Sequence, residues 1–171
     1  MQNNSKVLQA IENDSIFLLE SILKDGYDIK KPIVIGEEYD LEEHDEVSLL
    51  SFAIRQYASR ELIEMLLSYG VDIYEVNSDG VSSIDVAIKY KRVEIIELCI
   101  EKGIDLNSTK RKSGITPLML ASCFNDIEIA KILIDNGAIL DSKDNSGLSA
   151  KGYAKRLGQK KMLEFLESIE D

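Results

Sequence analysis

Seven carboxylates fall within ten consecutive residues, Glu37, Glu38, Asp40, Glu42, Glu43, Asp45 and Glu46, and His44, the chain's only histidine, lies among them. Oxygen ligands in such number are what a hard cation such as Ca²⁺ binds. An EF-hand loop, however, sets its ligands at alternate positions around a central glycine, and this run does not match that spacing. No metal is expected. A histidine serves as general base when a serine or cysteine nucleophile is set against it. His44 sits inside the acid run and reads as a solvated loop residue. Cys99 and Cys123 lie far apart and without CxxC spacing, so neither a zinc site nor a disulfide framework is legible. Cys99 reads as core and Cys123 as a small filler. Carboxylates become useful acid catalysts in an apolar pocket that raises their pKa, and the sequence indicates none. The pattern points away from an enzyme and from any cofactor. What remains is recognition by charge, or a solvated loop.

Those two readings separate only once the elements that hold the run are known. The chain has 171 residues, 44% apolar and 30% charged, with only two prolines, which suits one ordinary domain with a real core. The stretch MQNNSKVLQAIENDS shows no basic region followed by an apolar core, and no apolar run approaches the roughly 18–20 residues of a membrane span. With two isolated cysteines, this leads us to expect a cytoplasmic protein. The net charge of −11 is uneven: residues 1–105 hold 10 basic and 22 acidic side chains, residues 106–171 hold 10 and 9. Such a field repels nucleic acid and anionic lipid and speeds encounter with a basic protein surface.

The chain repeats itself. Gly70, Gly103 and Gly137 are spaced by 33 and 34 residues, and Gly80, Gly114 and Gly147 by 34 and 33. Ala53, Ala87, Ala121 and Ala154 follow at 34, 34 and 33, with Ala10 in the same slot of an earlier, less regular unit. These glycines are turn residues at the repeat period, so none forms a phosphate-binding loop. Between the markers each unit reads as two short helices. ITPLMLASCF (115–124) opens on Thr116 as N-cap and Pro117 at the first helical position. DIEIAKILIDNG (126–137) sets Ile127, Ile129, Ile132, Leu133 and Ile134 mainly on one face and stops at glycine. SIFLLESILKDG, SRELIEMLLSYG, RVEIIELCIEKG and KKMLEFLESIED are the equivalent second helices. A short extended segment is expected after each internal glycine: YDI, VDI, IDL and AIL.

GITPLMLA (114–121) resembles the Gly-x-Thr-Pro-Leu-His-x-Ala signature of the ankyrin repeat, and the period and the glycine after each second helix agree with that family. The resemblance covers essentially the whole chain and implies an all-α repeat protein. The expected fold is an ankyrin-repeat solenoid of about five helix-turn-helix units, at 5–26, 47–79, 80–110, 114–143 and 147–170, forming one domain over 1–171 with short β-hairpin-like fingers. The sequence departs from the family pattern in places. Only the fourth unit keeps Thr-Pro, and the histidine slots hold Ser51, Asp85, Met119 and Gly152. Ser82 and Asp85 can still form a capping-box-like pair. Gly152, early in a helix, weakens the last unit by roughly 1 kcal/mol relative to alanine.

The acid run now has a place. Gly26 to Gly70 is 44 residues, so about ten extra residues, within 30–46, are inserted where the family carries a finger. Pro32 to Gly36 forms one arm, and EEYDLEEHDE the tip and return. Ile33, Val34 and Ile35 either pack on the neighbouring repeat or meet a partner, whereas Tyr39 within the run reads as a partner contact. Tyr57, Tyr90 and Phe124, with Leu157 after them, recur at 33, 34 and 33 residues near the end of each first helix. The resemblance implies that this position lines the concave groove where the family binds partners, and aromatics there suit an interface. Packing between units is the alternative.

The expected partner-binding set is Glu37, Glu38, Tyr39, Asp40, Glu42, Glu43, Asp45, Glu46, Tyr57, Asp79, Tyr90 and Phe124. Lys110, Arg111 and Lys112, and Lys151, Lys155, Arg156, Lys160 and Lys161, form basic clusters that read as solubilising within the acidic field. The resulting expectation is a non-catalytic protein-interaction module, monomeric when free, that binds neither nucleic acid nor membrane. In charge and size it resembles immunity-type inhibitors that neutralise a basic partner. The alternatives are an adaptor or assembly factor for an enzyme, and an effector acting on host proteins.

Overall fold

Most of the helices are short and end in a turn closed by backbone bonds at the C-cap. A computed structural model describes residues 4–35 and 45–170. It divides the chain into two compact units, Met1–Asn77 and Ser78–Asp171. Within each, helices come in antiparallel pairs. No described helix is long and apolar enough to cross a membrane.

In the first unit, α1 (Asn4–Glu12) buries Val7, Ala10 and Ile11 on one stripe. α2 (Ile16–Lys24) buries Leu19 and Leu23, α3 (Leu49–Arg55) buries Leu49, Leu50, Phe52, Ala53 and Ile54, and α4 (Arg60–Ser68) buries Leu62, Ile63 and Leu66. α2 packs on α4. Between α2 and α3 run two antiparallel strands, β1 (Ile33–Ile35) and β2 (Asp45–Val47), in the register Ile33↔Val47, Val34↔Glu46, Ile35↔Asp45. Ile33 and Val47 are buried. For Ile33 this decides between the two sequence readings, in favour of packing.

The second unit holds α5 (Ser83–Lys89), α6 (Val93–Glu101), α7 (Pro117–Cys123), α8 (Ile127–Asp135), α9 (Ala150–Arg156) and α10 (Lys160–Glu170). α5, α7 and α9 pack side by side. The expected caps are in place. Thr116 Oγ1 accepts from the Met119 N–H with Pro117 in the first turn, and the Asp85 carboxylate reaches back to the Ser82 N–H at 3.0 Å. Asp126 caps α8 through the Ile129 N–H. In α8 the buried stripe is Ile129, Ala130 and Leu133; Ile127, Ile132 and Ile134 flank it half-buried.

One turn recurs five times. The carbonyls of Ala10, Ala53, Ala87, Ala121 and Ala154 accept from the N–H groups of Ser15, Ala58, Arg92, Asp126 and Gln159, at 2.8, 3.1, 2.9, 3.1 and 2.9 Å. Each is the six-to-one bond of a Schellman stop, and the residue before each donor has positive φ: Asp14, Tyr57, Lys91, Asn125 and Gly158. The turn repeats at the alanine spacing, and all five alanines are fully buried.

Two expectations about the connections need correction. The segments after Gly26, Gly70 and Gly103 do not stay extended. They turn at once, because Asp28, Asp72 and Asp105 each accept from the N–H two residues on, at Lys30, Tyr74 and Asn107. The fingers between α6 and α7 and between α8 and α9 contain turns and no strand. They are joined to one another: Asn145 donates from its backbone to Ser113 and from its side chain to the Lys112 carbonyl. A Cβ on Gly80 would lie 2.0 Å from the Lys110 carbonyl oxygen, and one on Gly114 2.8 Å from Asn145 Oδ1. Glycine stands there because the next finger lies against it.

Candidate interaction surface

Of the acid run, Glu37, Glu38, Tyr39, Asp40, Glu42, Glu43 and His44 lie outside the described residues. The structure shows their mount. Asp45 and Glu46 belong to β2, and Asp45 pairs with Ile35, so the two ends of the stretch 36–44 emerge from adjacent antiparallel strands. The sequence charge follows the division into units. Residues 1–77 hold 6 basic and 16 acidic side chains, and residues 78–171 hold 14 and 15. The first unit therefore carries −10 of the total −11.

The aromatic series is not in one register. Tyr90, Phe124 and Leu157 are C-caps of α5, α7 and α9, with φ of −95°, −83° and −90°. In α3 that slot belongs to Gln56. Tyr57 sits one place later, in the left-handed position at φ 59° shared with Lys91 and Asn125. A bulky residue rarely adopts that conformation. Tyr57 is 64% exposed and Phe124 40%, while Tyr90 is half-buried with the Lys89 ammonium 5.8 Å from its ring centre. Within the second unit Tyr90, Phe124 and Leu157 cap helices that lie side by side, so they follow one another along one edge. Asp79 is exposed, 4.0 Å from Lys112 Nζ.

The basic cluster before α7 loses one member to structure. Arg111 Nε meets Asp85 Oδ2 at 3.1 Å, and Asp85 is only 4% exposed. The same carboxylate thus caps α5 and pairs across to the next finger. The acid in the family's histidine slot was legible as a cap, but its partner, 26 residues on, was not. Lys155, Arg156, Lys160 and Lys161 are exposed on the last helical pair.

Asp144 also escaped sequence reasoning. It accepts from the Ser146 and Leu148 N–H groups and from the Tyr153 hydroxyl. The Tyr153 bond, before the backbone donors, holds its carboxyl below the usual range, while burial and Asp144 push the Tyr153 phenol up to about 12. Phe17, on α2, is 85% exposed and had no sequence signal to single it out.

Cys99 is buried, and burial pushes its thiol up to about 12. Burial likewise raises the half-buried Cys123. Neither is poised as a thiolate nucleophile. Among the described residues no three His, Cys, Asp or Glu side chains are grouped to hold a metal ion.

This repeat geometry has a match among known families: residues 84–134 fit the model described as ankyrin repeats (many copies). Residues 84–134 carry ankyrin repeats. The match takes in α5 to α8, including the Thr116-Pro117 cap. Related repeats occur in very different proteins. The chain is 32% identical over 93 residues to glycerophosphocholine phosphodiesterase gde1 of Schizosaccharomyces pombe, covering 54% of this chain and 8% of that protein. It is 30% identical over 97 residues to the B-cell lymphoma 3 protein homolog of Mus musculus, 57% of this chain and 22% of the other. With a putative ankyrin repeat-containing protein of Treponema pallidum it shares 31% identity over 108 residues, 63% and 36% of the two chains. The chain thus spans well under two thirds of the length of each of these relatives. What is shared is the repeat itself, a protein-interaction module whose stacked units present extended binding surfaces.

Proposed function

We propose that this chain is a non-catalytic ankyrin-repeat module that captures a partner protein with a basic surface, using the acid run from Glu37 to Glu46 as its recognition element. The observation that carries this reading is the coincidence of charge and mount: nearly all the net charge belongs to residues 1–77, and its densest part joins two paired strands. Like charge held together steers a basic partner into encounter and rejects acidic ones. Tyr57 in the first unit, and Tyr90 and Phe124 in the second, supply aromatic contacts of the kind enriched at interfaces. Asp79 adds a further exposed carboxylate. The role we favour is inhibition or neutralisation of that partner, of the immunity type, by a protein that is monomeric when free and resides in the cytoplasm. Two unpaired thiols suit such a reducing compartment.

The test compares wild type with a variant in which Glu37, Glu38, Asp40, Glu42, Glu43, Asp45 and Glu46 become Gln or Asn. A basic protein captured from the source cell by the wild type should be lost with the variant, its association rate should fall steeply with salt, and its activity should drop on binding. Undiminished capture by the variant would remove the acid run from recognition. A partner whose activity rises on binding would mark an assembly factor instead.

A further inference from the structure

The turn after α4 and the segment leading into β1 border a cavity of about 370 Å³ in the first unit. Glu75 lines it, and one oxygen of its carboxylate, Oε1, is buried with no hydrogen-bond partner. The Ser48 side chain hydrogen-bonds this carboxylate. The single Ser48 O–H is committed to Glu75, while Ser48 Oγ accepts from the Ser51 N–H as the cap of α3. Asp72 lines the same cavity. Burial raises the Glu75 pKa, the Ser48 bond offsets part of that, and the like charge of Asp72 raises it again.

The turn itself does not demand a carboxylate here. Five residues after the stop glycine stands Glu75, whereas the same slot after Gly103 and Gly137 holds Ser108 and Ser142. A buried carboxylate oxygen without a donor, beside a second carboxylate, is costly, and a donor brought into the cavity would satisfy it. Two exposed lysines, Lys30 and Lys31, also line the cavity, and no ion pair joins them to Glu75. Ile29, Pro32 and Leu49 supply apolar wall.

We propose that this cavity binds the cationic head of a lysine- or arginine-type side chain, with Glu75 and Asp72 facing the charge and the apolar wall covering the aliphatic stem. The volume lies at the lower end of the range for small-molecule pockets and suits one side chain. The choice of a basic side chain deepens the basic-partner reading and rests on it, but the geometry uses none of residues 36–44.

The experiment titrates the full chain with N-acetyl-lysine methylamide and follows amide and carboxyl resonances by NMR. N-acetyl-arginine methylamide is a second probe, and neutral N-acetyl-norleucine methylamide is the control of matching stem. Saturable shifts at Ser48 and Gly70 to Glu75 with either cationic probe, and about tenfold or more weaker binding of norleucine and of the lysine probe to Glu75→Gln, are expected. Equal shifts with norleucine, or no saturable shift in the wild type, overturn the proposal without reference to any variant's folding. The seven-carboxylate variant should bind the probe as wild type does. Lost partner capture with retained probe binding then breaks only the acid-run reading. Retained capture with no probe binding breaks only the cavity.

Discussion

The two units solve the same packing problem with different polar chemistry. In residues 78–171 polar side chains join one repeat to the next: Asp85 to Arg111, Asn107 to the Gly137 carbonyl and the Ile139 N–H, and Asn145 to Lys112. Glycine lets the fingers touch at Gly80 and Gly114. The first unit uses Asp14 to bind the Ser59 N–H and Tyr69 to reach Glu20, and its stop glycines Gly26 and Gly70, like Gly103 and Gly137 in the second unit, face open space. It interrupts the period with a strand pair and gathers the negative charge. Regularity is thus a property of the links, and where the links differ the chain accommodates an insertion and a charge excess that oppose close packing.

That contrast can be broken most sharply at glycine. Gly80→Ala must move the Lys110 backbone as well as hold a left-handed φ of 77°, and should cost about 3 kcal/mol. Gly70→Ala, at φ 99° with nothing within 4 Å of the new methyl, should cost only about 1 kcal/mol. Urea denaturation of both variants measures the difference, and equal losses would mean the finger contact is not what requires glycine. Next in size is Asp85→Asn, which weakens a cap and leaves Arg111 without its charge partner; about 2 kcal/mol is expected from the same measurement. A loss near zero would show the links of the second unit to be incidental.

A smaller change should go the other way. Tyr57→Asn puts into the first unit the residue that Asn125 supplies at the same place in the second, and relief of the left-handed strain should stabilise by about 0.5 kcal/mol. If Tyr57 is kept for a partner, capture weakens as stability rises. Loss of stability would instead make Tyr57 a structural residue.

The smallest effects concern two carboxylates of opposite sense. Asp144, in the second unit, has its folded pKa lowered below the ordinary 3.8, so the folded state binds fewer protons than the unfolded one and stability rises with pH through that window. Its contribution is present at neutral pH and lost as pH falls through the lowered value. Glu75, in the first unit, is raised above the ordinary 4.5, so ionisation costs stability as pH climbs through and above that value. Asp144→Asn should therefore lower the urea midpoint near neutrality, with the gap closing in acid below 3.8. Glu75→Gln should raise it near neutrality, with the gain fading toward 4.5. Parallel pH profiles for the two variants would contradict the assignment of causes.

Much of the repeat was visible in the sequence because it rests on residues whose backbone chemistry is unambiguous. Thr116-Pro117 can start a helix and Gly137 can end one, and both do. The alanine register was visible but the turn at each alanine was not, since a carbonyl acceptor leaves no mark on side-chain choice. Tyr57 shows where such reading stops. Spacings of 33 and 34 both occur, so an aromatic one place out of register still looks periodic, and a tyrosine gives no hint of positive φ where asparagine or glycine would. Asp85 was legible as a cap because its partner is three residues away. Its bond to Arg111 depends on how two fingers lie together, which no local propensity encodes. The cavity at Glu75 is hidden for the same reason, being made by segments that are far apart in the chain.

The five left-handed turn positions carry a further consequence. One backbone geometry there accepts an acid, an aromatic, a base, an amide and a glycine, at Asp14, Tyr57, Lys91, Asn125 and Gly158. The bond that closes each turn comes from main-chain atoms on either side and is indifferent to the side chain between them. Two of these side chains also serve the frame, Asp14 by binding the Ser59 N–H and Lys91 by pairing with Asp126. Changing Tyr57 or Asn125 would vary what its own unit displays while the main-chain bond that closes the turn stays, within the strain that a left-handed φ imposes on a bulky side chain.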